Sequence, residues 1–323
     1  MPPALLLLAL AATAHAQPPL QSALDPRGDA AARIAELTWV LVVGGAVIFV
    51  VVMALLVVAL RGPGAWRGRL AHESLIVGAG VAFPAVALSA LLIYSFGALA
   101  TLSRSDPPAA TRIQVTGELW WWRVRYLDAD GATLLETANE IHIPVGQPVD
   151  LELRSNDVIH SFWVPSLAGK MDMIPGRVNR LRLQAREAGL FRGQCAEFCG
   201  AQHAHMALYV VAATQQEHAA WLAAQRQPAA IPAGPGHLLF QQGRCGACHA
   251  IRGTNAAGTL APDLTHVGSR ITLGAGTLPN LPGAIATWIS HVQQLKPGSR
   301  MPTYRQYTAD ELQQLAAYLA ALR

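Results

Sequence analysis

Hydrophobic and polar positions divide the chain into three regimes. Leu37 to Leu60 is an almost unbroken apolar run without a charge, and residues 75–97 form a second, interrupted only by Gly78, Gly80 and Pro84. Roughly 20 apolar residues suffice to cross a bilayer as a helix. Membrane helices tolerate such interruptions, and two runs in tandem argue against a pair of buried soluble helices. Between them, Arg61-Gly-Pro-Gly-Ala-Trp-Arg67-Gly-Arg69 carries three arginines and no acid. The positive-inside rule therefore puts the loop 61–74 in the cytoplasm and everything after residue 98 on the outer face. Ahead of the first span, the apolar stretch from Leu5 to Ala12 followed by Ala14-His-Ala16 reads as a signal peptide over 1–16. That leaves 17–36 as an outer segment.

Beyond a linker at 98–110, the pattern from 111 to 214 shortens to a period of two. Ile113-Gln-Val115-Thr, Trp122-Arg-Val124-Arg-Tyr126, Glu140-Ile-His-Ile143, Val149-Asp-Leu151-Glu-Leu153 and Arg180-Leu-Arg-Leu alternate like half-buried strands. Asp130-Gly131, Val145-Gly146 and Pro175-Gly176 supply turns. Short strands at this spacing argue a β-sandwich or Greek-key barrel. Residues 215–235 open as an Ala- and Gln-rich helix and become a Pro/Ala/Gly-rich linker. The third regime, 236–323, is helical. Its last helix starts with the capping box Thr308-Ala-Asp-Glu311 and continues with Leu312, Leu315, Tyr318 and Leu319 on one face.

Length and charge change this picture little. The 323 residues leave room for two modest domains besides the spans. Lys and Arg number 24 against 20 Asp and Glu, a formal charge of +4. The arginines are scattered and no basic run is interleaved with aromatics, which argues against a nucleic-acid partner.

The cysteines change it more. Cys195-Ala-Glu-Phe-Cys199-Gly-Ala-Gln-His203-Ala-His-Met206 brings two thiols, an imidazole and a thioether into one short stretch. A mononuclear blue-copper site takes His, Cys, a second His and a weak Met. The additional thiol allows two thiolates to bridge a pair of copper ions, and His160, at the end of a strand-like run, supplies the upstream imidazole. A bare Cys-x3-Cys outside the cytoplasm also reads as a disulfide. Zinc suits Cys and His, but has little use for Met206. His205 is an alternative to His203.

Further on, Cys245-Gly-Ala-Cys248-His249 matches the C-x-x-C-H pattern of covalent haem c attachment. Half a zinc site and a redox dithiol are the other readings of that pentapeptide. The stretch Gly236 to Cys245 reads as a short amphipathic helix running into the motif. Met301, followed by Pro302, suits the sixth iron position, where Met/His ligation raises the potential; a core methionine is the plainer alternative.

Two spans, a β domain ending in Cys195-x-Glu197-x-Cys199-x3-His203-x2-Met206 and a haem-binding module together resemble subunit II of haem-copper cytochrome c oxidase in its caa-type version with a fused cytochrome c. Gly117-Glu-Leu-Trp120-Trp121-Trp122 is similar to the family's aromatic segment, Lys170 to Arg177 to its turn before the last strands, and Gly258 to Arg270 to the loop lining the haem. The resemblance implies two transmembrane helices, an all-β cupredoxin-like Greek-key domain and an all-α class I cytochrome c domain. It implies that His160, Cys195, Cys199, His203 and Met206 bind a dinuclear CuA centre. Glu197 would add its main-chain carbonyl and reach with its carboxylate a magnesium ion shared with subunit I. By the same resemblance Cys245 and Cys248 carry haem c, His249 and Met301 bind its iron, Trp120 mediates electron input, and Glu73 lies near the mouth of a proton pathway.

The partners it implies are subunits I and III, membrane lipid, and a donor such as cytochrome c or a cytochrome bc complex, in the bacterial inner membrane with both domains outside. The expected function is that of an electron-input subunit of a proton-pumping oxidase. Its fused haem passes electrons to CuA and on to subunit I, which holds the oxygen-reducing site. The alternative is a membrane-anchored haem c/CuA shuttle for another terminal reductase. A copper-delivery protein is a third class, against which the second thiol and the covalent haem both argue.

Overall fold

The computed structural model describes residues 20–102 and 107–323. The expected signal peptide lies outside these residues, as does part of the 98–110 linker. Helix α1 (Asp29–Arg61) and helix α4 (Phe83–Leu102) carry the two apolar runs, joined through the short α2 (Gly64–Leu70), α3 (Glu73–Val77) and a π-helical turn at Gly78–Ala82. Neither candidate span is buried inside the protein. Both helices are long and apolar enough to cross a membrane, and a helix closes its own backbone hydrogen bonds. Tyr94 on α4 donates to Glu36 on α1 at 3.3 Å near the end that leads to the β domain.

Helix α1 begins well before its apolar run because its first turns are docked on the β domain. Gly28 bridges to Ala185, the Ala31 amide donates to the Leu167 carbonyl, and Ala31 and Ala35 are buried. Gly28 has no room for a Cβ against the Leu167 and Gln184 main chain. Asp29 in the first turn, which suits the helix dipole, also pairs with Arg186 at 2.6 Å.

The β domain contains β1 (Thr111–Glu118), β2 (Trp121–Leu127), β3 (Thr133–Ala138), β4 (Glu140–Pro144), β5 (Val149–Ser155), β6 (His160–Trp163), β7 (Met171–Met173), β8 (Asn179–Leu183), β9 (Gly189–Cys195) and β10 (Ala207–Ala213). They form two five-stranded sheets ordered β3-β2-β1-β5-β8 and β4-β10-β9-β6-β7. β1 with β5 and β4 with β10 run parallel, while the other neighbours are antiparallel. The alternation seen in sequence is kept: on β5, Val149, Leu151 and Leu153 are buried, whereas Asp150, Glu152 and Arg154 are not. Trp122, Tyr126, Phe162, Ile113, Ile141 and Met206 fill the space between the sheets. The chain crosses from one sheet to the other at Asn139, in the left-handed region (φ 62°) that Asn tolerates. Its side-chain oxygen accepts from the Trp122 amide and its carbonyl from the Tyr209 amide, tying both sheets to the corner.

The segment read as linker is held at both ends. Helix α5 (Gln215–Arg226) starts in a capping box, Thr214 with Glu217, and lays Trp221 flat on His142, ring centroids 3.9 Å apart. Residues 227–234 then run beside the C-terminal module, where Arg252 donates to the Gln225 and Arg226 carbonyls and His266 bonds the Gln227 carbonyl.

That module contains α6 (Pro235–Gln242), a small hairpin of β11 (Thr272–Leu273) and β12 (Leu278–Pro279), α7 (Pro282–Leu295) and α8 (Ala309–Ala321). Thr308 and Glu311 form the expected capping box. Leu239, Phe240, Ile285, Ile289, Leu315 and Leu319 make a core separate from that of the β domain.

Candidate metal centres

The copper-type loop closes one end of the sandwich. β9 ends at Cys195, a 3₁₀ turn spans His203–His205, and β10 leaves at Ala207, so two paired strands hold both ends of the loop. The Cys195 amide donates to the Met206 carbonyl at 3.0 Å and closes it. His160, at the first position of β6, lies opposite, and its nitrogen and the two thiols fall within 4.8 Å of one another. The sulfurs of Cys195 and Cys199 are 3.7 Å apart. His160 Nδ1 lies 3.9 Å from Cys195, His203 Nδ1 3.6 Å from Cys199 and Met206 Sδ 3.9 Å from Cys199. The Glu197 carbonyl oxygen lies 3.2 Å from Cys195 Sγ. His205 is turned away, its Nδ1 on Gln202 at 3.0 Å.

His160 has a carboxylate behind it. His160 Nε2 meets Asp157 Oδ1 at 2.8 Å, which leaves Nδ1 aimed at the thiols; a carboxylate in this place orients a ligating imidazole and raises its basicity. Burial works against charge on His160, but Asp157 and Cys195 lift its pKa to about 9. The two thiols titrate as a pair. The hydrogen bond from Cys199 holds Cys195 low, and that thiolate pushes Cys199 well above the usual thiol range. A buried thiolate pair of this kind needs cations to lose both protons. Two thiols, two imidazoles, a thioether and a carbonyl form a soft donor set that fits copper.

Two indoles buttress the same loop. Trp120, in the turn between β1 and β2, donates from Nε1 to the Cys199 carbonyl at 2.8 Å, and Trp122 from Nε1 to the Met206 carbonyl at 3.4 Å. Trp121 faces the other way, beneath the Arg123 guanidinium, as strand alternation requires.

In the C-terminal module the loop from Gly258 to Leu264 wraps the C-x-x-C-H turn. The Gly258 amide donates to Gly246, Ala261 to Cys248 and Leu264 to Ala250. This brings the Pro262 carbonyl to His249 Nδ1 at 2.7 Å, and the described residues give Nε2 no hydrogen-bond partner. Burial holds the His249 pKa down, keeping the imidazole neutral, as a metal ligand must be. Cys245 is half-buried and Cys248 exposed. Met301 is packed against the module core, its carbonyl accepting from Gln293 on α7. One anchored imidazole, two thiols and a thioether suit haem c.

The two domains share a boundary. The Arg123 guanidinium donates to the Thr259 carbonyl at 2.9 Å, the Ile271 amide to Glu140 at 2.6 Å and the Ala207 amide to the Ala275 carbonyl at 3.0 Å.

Residues 123–213 match the family model of the cytochrome c oxidase subunit II periplasmic domain, and residues 233–323 that of cytochrome c. The subunit 2 of Branchiostoma floridae is 35% identical over 155 residues, 43% of this chain and 67% of the relative. The chain belongs to the cytochrome c oxidase subunit II family. Its cytochrome c domain is fused behind the copper-type domain. The subunit 2 of Alkalihalophilus pseudofirmus is 39% identical over 215 residues, 65% of this chain but only 61% of the relative. A solved periplasmic domain of subunit II from Bradyrhizobium japonicum is 31% identical, covering 37% of this chain and 96% of that one, with a TM-score of 0.35.

In this subunit II chain three residues near the candidate metal sites had no such role assigned from the sequence. Asp157 stands three before His160, and Trp122 was legible as a strand residue and as the end of the aromatic segment at 117–122, without a part in holding the loop. Lys296 had no signal at all, since a lone lysine after a helix reads as surface.

Proposed function

We propose that the chain is the electron-input subunit of a proton-pumping cytochrome c oxidase in the bacterial inner membrane. The observation that carries it is the cluster of Cys195 and Cys199 with His160, His203 and Met206, whose loop is bonded to the Trp120 indole, while Lys296 and Gly298 of the module that carries Cys245, Cys248 and His249 meet the same tryptophan from the other side. Copper and haem at these places supply reversible one-electron redox chemistry. His160, Cys195, Cys199, His203, Met206 and the Glu197 carbonyl would hold the copper pair; Cys245 and Cys248 would hold the haem covalently, with His249 and Met301 on its iron.

The chain's own part is to keep these ligands still. Asp157 fixes the His160 ring, the strand ends fix both thiols, and Pro262 fixes His249, so little has to move when charge changes. Trp120 spans from the Cys199 carbonyl to the cytochrome module and relays electrons toward the copper loop. Burial of Met206 and both cysteines excludes water from the thiolates.

Subunits I and III and lipid would surround α1 and α4, with oxygen reduction on subunit I and an upstream cytochrome c or cytochrome bc complex as donor. The half-exposed Glu197 carboxylate, now 3.4 Å from Lys170, is the group to share magnesium with subunit I. Glu73, exposed at the start of α3, is the candidate mouth of its proton pathway.

The test is metal content and low-temperature electron paramagnetic resonance of the partly reduced complex. A signal split by two equivalent coppers, with covalent haem c and cyanide-sensitive oxygen uptake, is expected. The copper signal without oxygen uptake would favour a shuttle for another terminal reductase, and its absence would remove the copper assignment.

A further inference from the structure

Lys296 directly follows α7 and is only 3% exposed, its side chain reaching out of the cytochrome module. Its Nζ donates to the Trp120 carbonyl at 2.8 Å, the His205 carbonyl at 2.7 Å and the Gly274 carbonyl at 2.7 Å. Two of these acceptors belong to the β domain and one to the lysine's own module. Together they take all three protons of an ammonium. Among the described residues no carboxylate pairs with it.

Burying an ammonium is costly even when it is satisfied, and taking it away would leave the Trp120, His205 and Gly274 carbonyls without this donor. Burial accordingly lowers the lysine pKa to about 7. The cost secures a position. Next to Lys296, the Pro297 carbonyl accepts from Gln202 of the copper loop at 3.0 Å. Gly298 has φ +80° and lies over the edge of the Trp120 ring, where a Cβ would sit 3.4 Å from the indole. Gln293 on α7 then ties Gly298, Ser299 and Met301 into one loop. The other end of the same indole is bonded to Cys199.

Elsewhere the interface is bridged by single hydrogen bonds and, at Gly276 against Ala207, by an approach too close for a Cβ. A polar cleft of about 250 Å³ lined by Glu118, Arg123, Arg125, Asp157, Thr259 and Arg300 lies beside it. Its remaining contacts are mostly single bonds to main-chain groups.

We infer that Lys296 is the positioning residue that seats the cytochrome module on Trp120, so that the loop carrying Met301 reaches the copper-binding loop through one indole. The inference deepens the functional reading above and rests on it. With haem and copper held by these residues, the transfer served would carry one electron from reduced haem to oxidised copper, with no bond made or broken. The seated module also covers Trp120, which is 9% exposed. A separate donor protein therefore has no access to that indole and delivers to the haem module instead.

The test uses the full chain in nanodiscs, loaded with copper and haem, and the variant Lys296→Met. One readout is hydrogen exchange at the Ile271 and Ala207 amides, which cross the interface. The other is electron equilibration between haem and copper after photoreduction by a ruthenium polypyridyl complex with a sacrificial amine. Exchange is expected to rise, and equilibration to slow, by roughly tenfold or more, with the haem absorption and copper resonance unchanged as reports that both domains remain folded. If the methionine variant does not fold, Lys296→Gln, which keeps a neutral donor, is expected to shift both readouts in the same direction by less. Unchanged exchange would overturn the inference, and so would faster exchange with an unchanged transfer rate. A wild-type chain that takes up neither metal would remove the functional reading alone, because exchange at the two amides needs no cofactor and still decides the seating.

Discussion

At the scale of single residues, the donor atoms were legible because covalent spacing confines them: Cys195, Cys199, His203 and Met206 cannot be far apart on one loop. Their orientation was not. A carboxylate three residues before a histidine is commonplace, and only the turn into β6 brings Asp157 onto His160 Nε2. Asp157→Asn keeps an acceptor for the Leu119 amide but removes the charge behind the imidazole. Copper retention, measured by competition with a chelator, is expected to weaken by roughly tenfold or more. Met206 is fully buried, so Met206→Leu preserves volume. It should cost less than about 1.5 kcal/mol in denaturant unfolding while shifting the copper-loaded absorption spectrum. An unshifted spectrum would remove Met206 from the ligand set.

At the scale of elements, period-two patterning found the strands and a capping box found α8. The equivalent box at Thr214 and Glu217 starts a helix that leads within a few turns into a Pro/Ala/Gly-rich stretch, so the pattern around it reads as linker. What patterning leaves blank is the outward face of each strand. On β5, Asp150 accepts from Arg182 Nε at 2.7 Å and from the Ala109 amide at 2.8 Å, and Glu152 from Arg112 at 3.0 Å. Burial alone would raise both carboxyls, but the arginine hydrogen bonds outweigh it and hold both below the usual range. A depressed carboxylate contributes stability that is fully present above its unfolded pKa, about 4, and is lost as pH falls through the folded value. Asp150→Asn should therefore cost about 1 kcal/mol at neutral pH, allowing for solvent screening of a part-exposed pair. Unfolding curves of variant and wild type should converge as the solution is acidified below that point. A cost that stayed constant down to strongly acid pH would show that the charge is not its source.

At the scale of the whole molecule, large exposed apolar side chains crowd α1 and α4 from Trp39 to Leu99 and become sparse afterwards. A chain starting at residue 107 is expected to stay dispersed without detergent while the full chain requires it, as light scattering would report. Aggregation of the shorter chain would mean that the β domain also depends on the docked segment around Gly28.

The sequence by itself determined the spans, the strand and helix regimes, and both metal motifs. Each is a local pattern, fixed by the rise of a helix, the pleat of a strand or the reach of a short loop. Only the tertiary structure decided which imidazole turns to the thiols, that the linker is held on both sides, and that Lys296 meets Trp120 across 176 residues of sequence. Those outcomes depend on main-chain carbonyls and on the packing of two separate cores. Every residue carries the same carbonyl, so nothing in the order of side chains marks which three will gather around an ammonium.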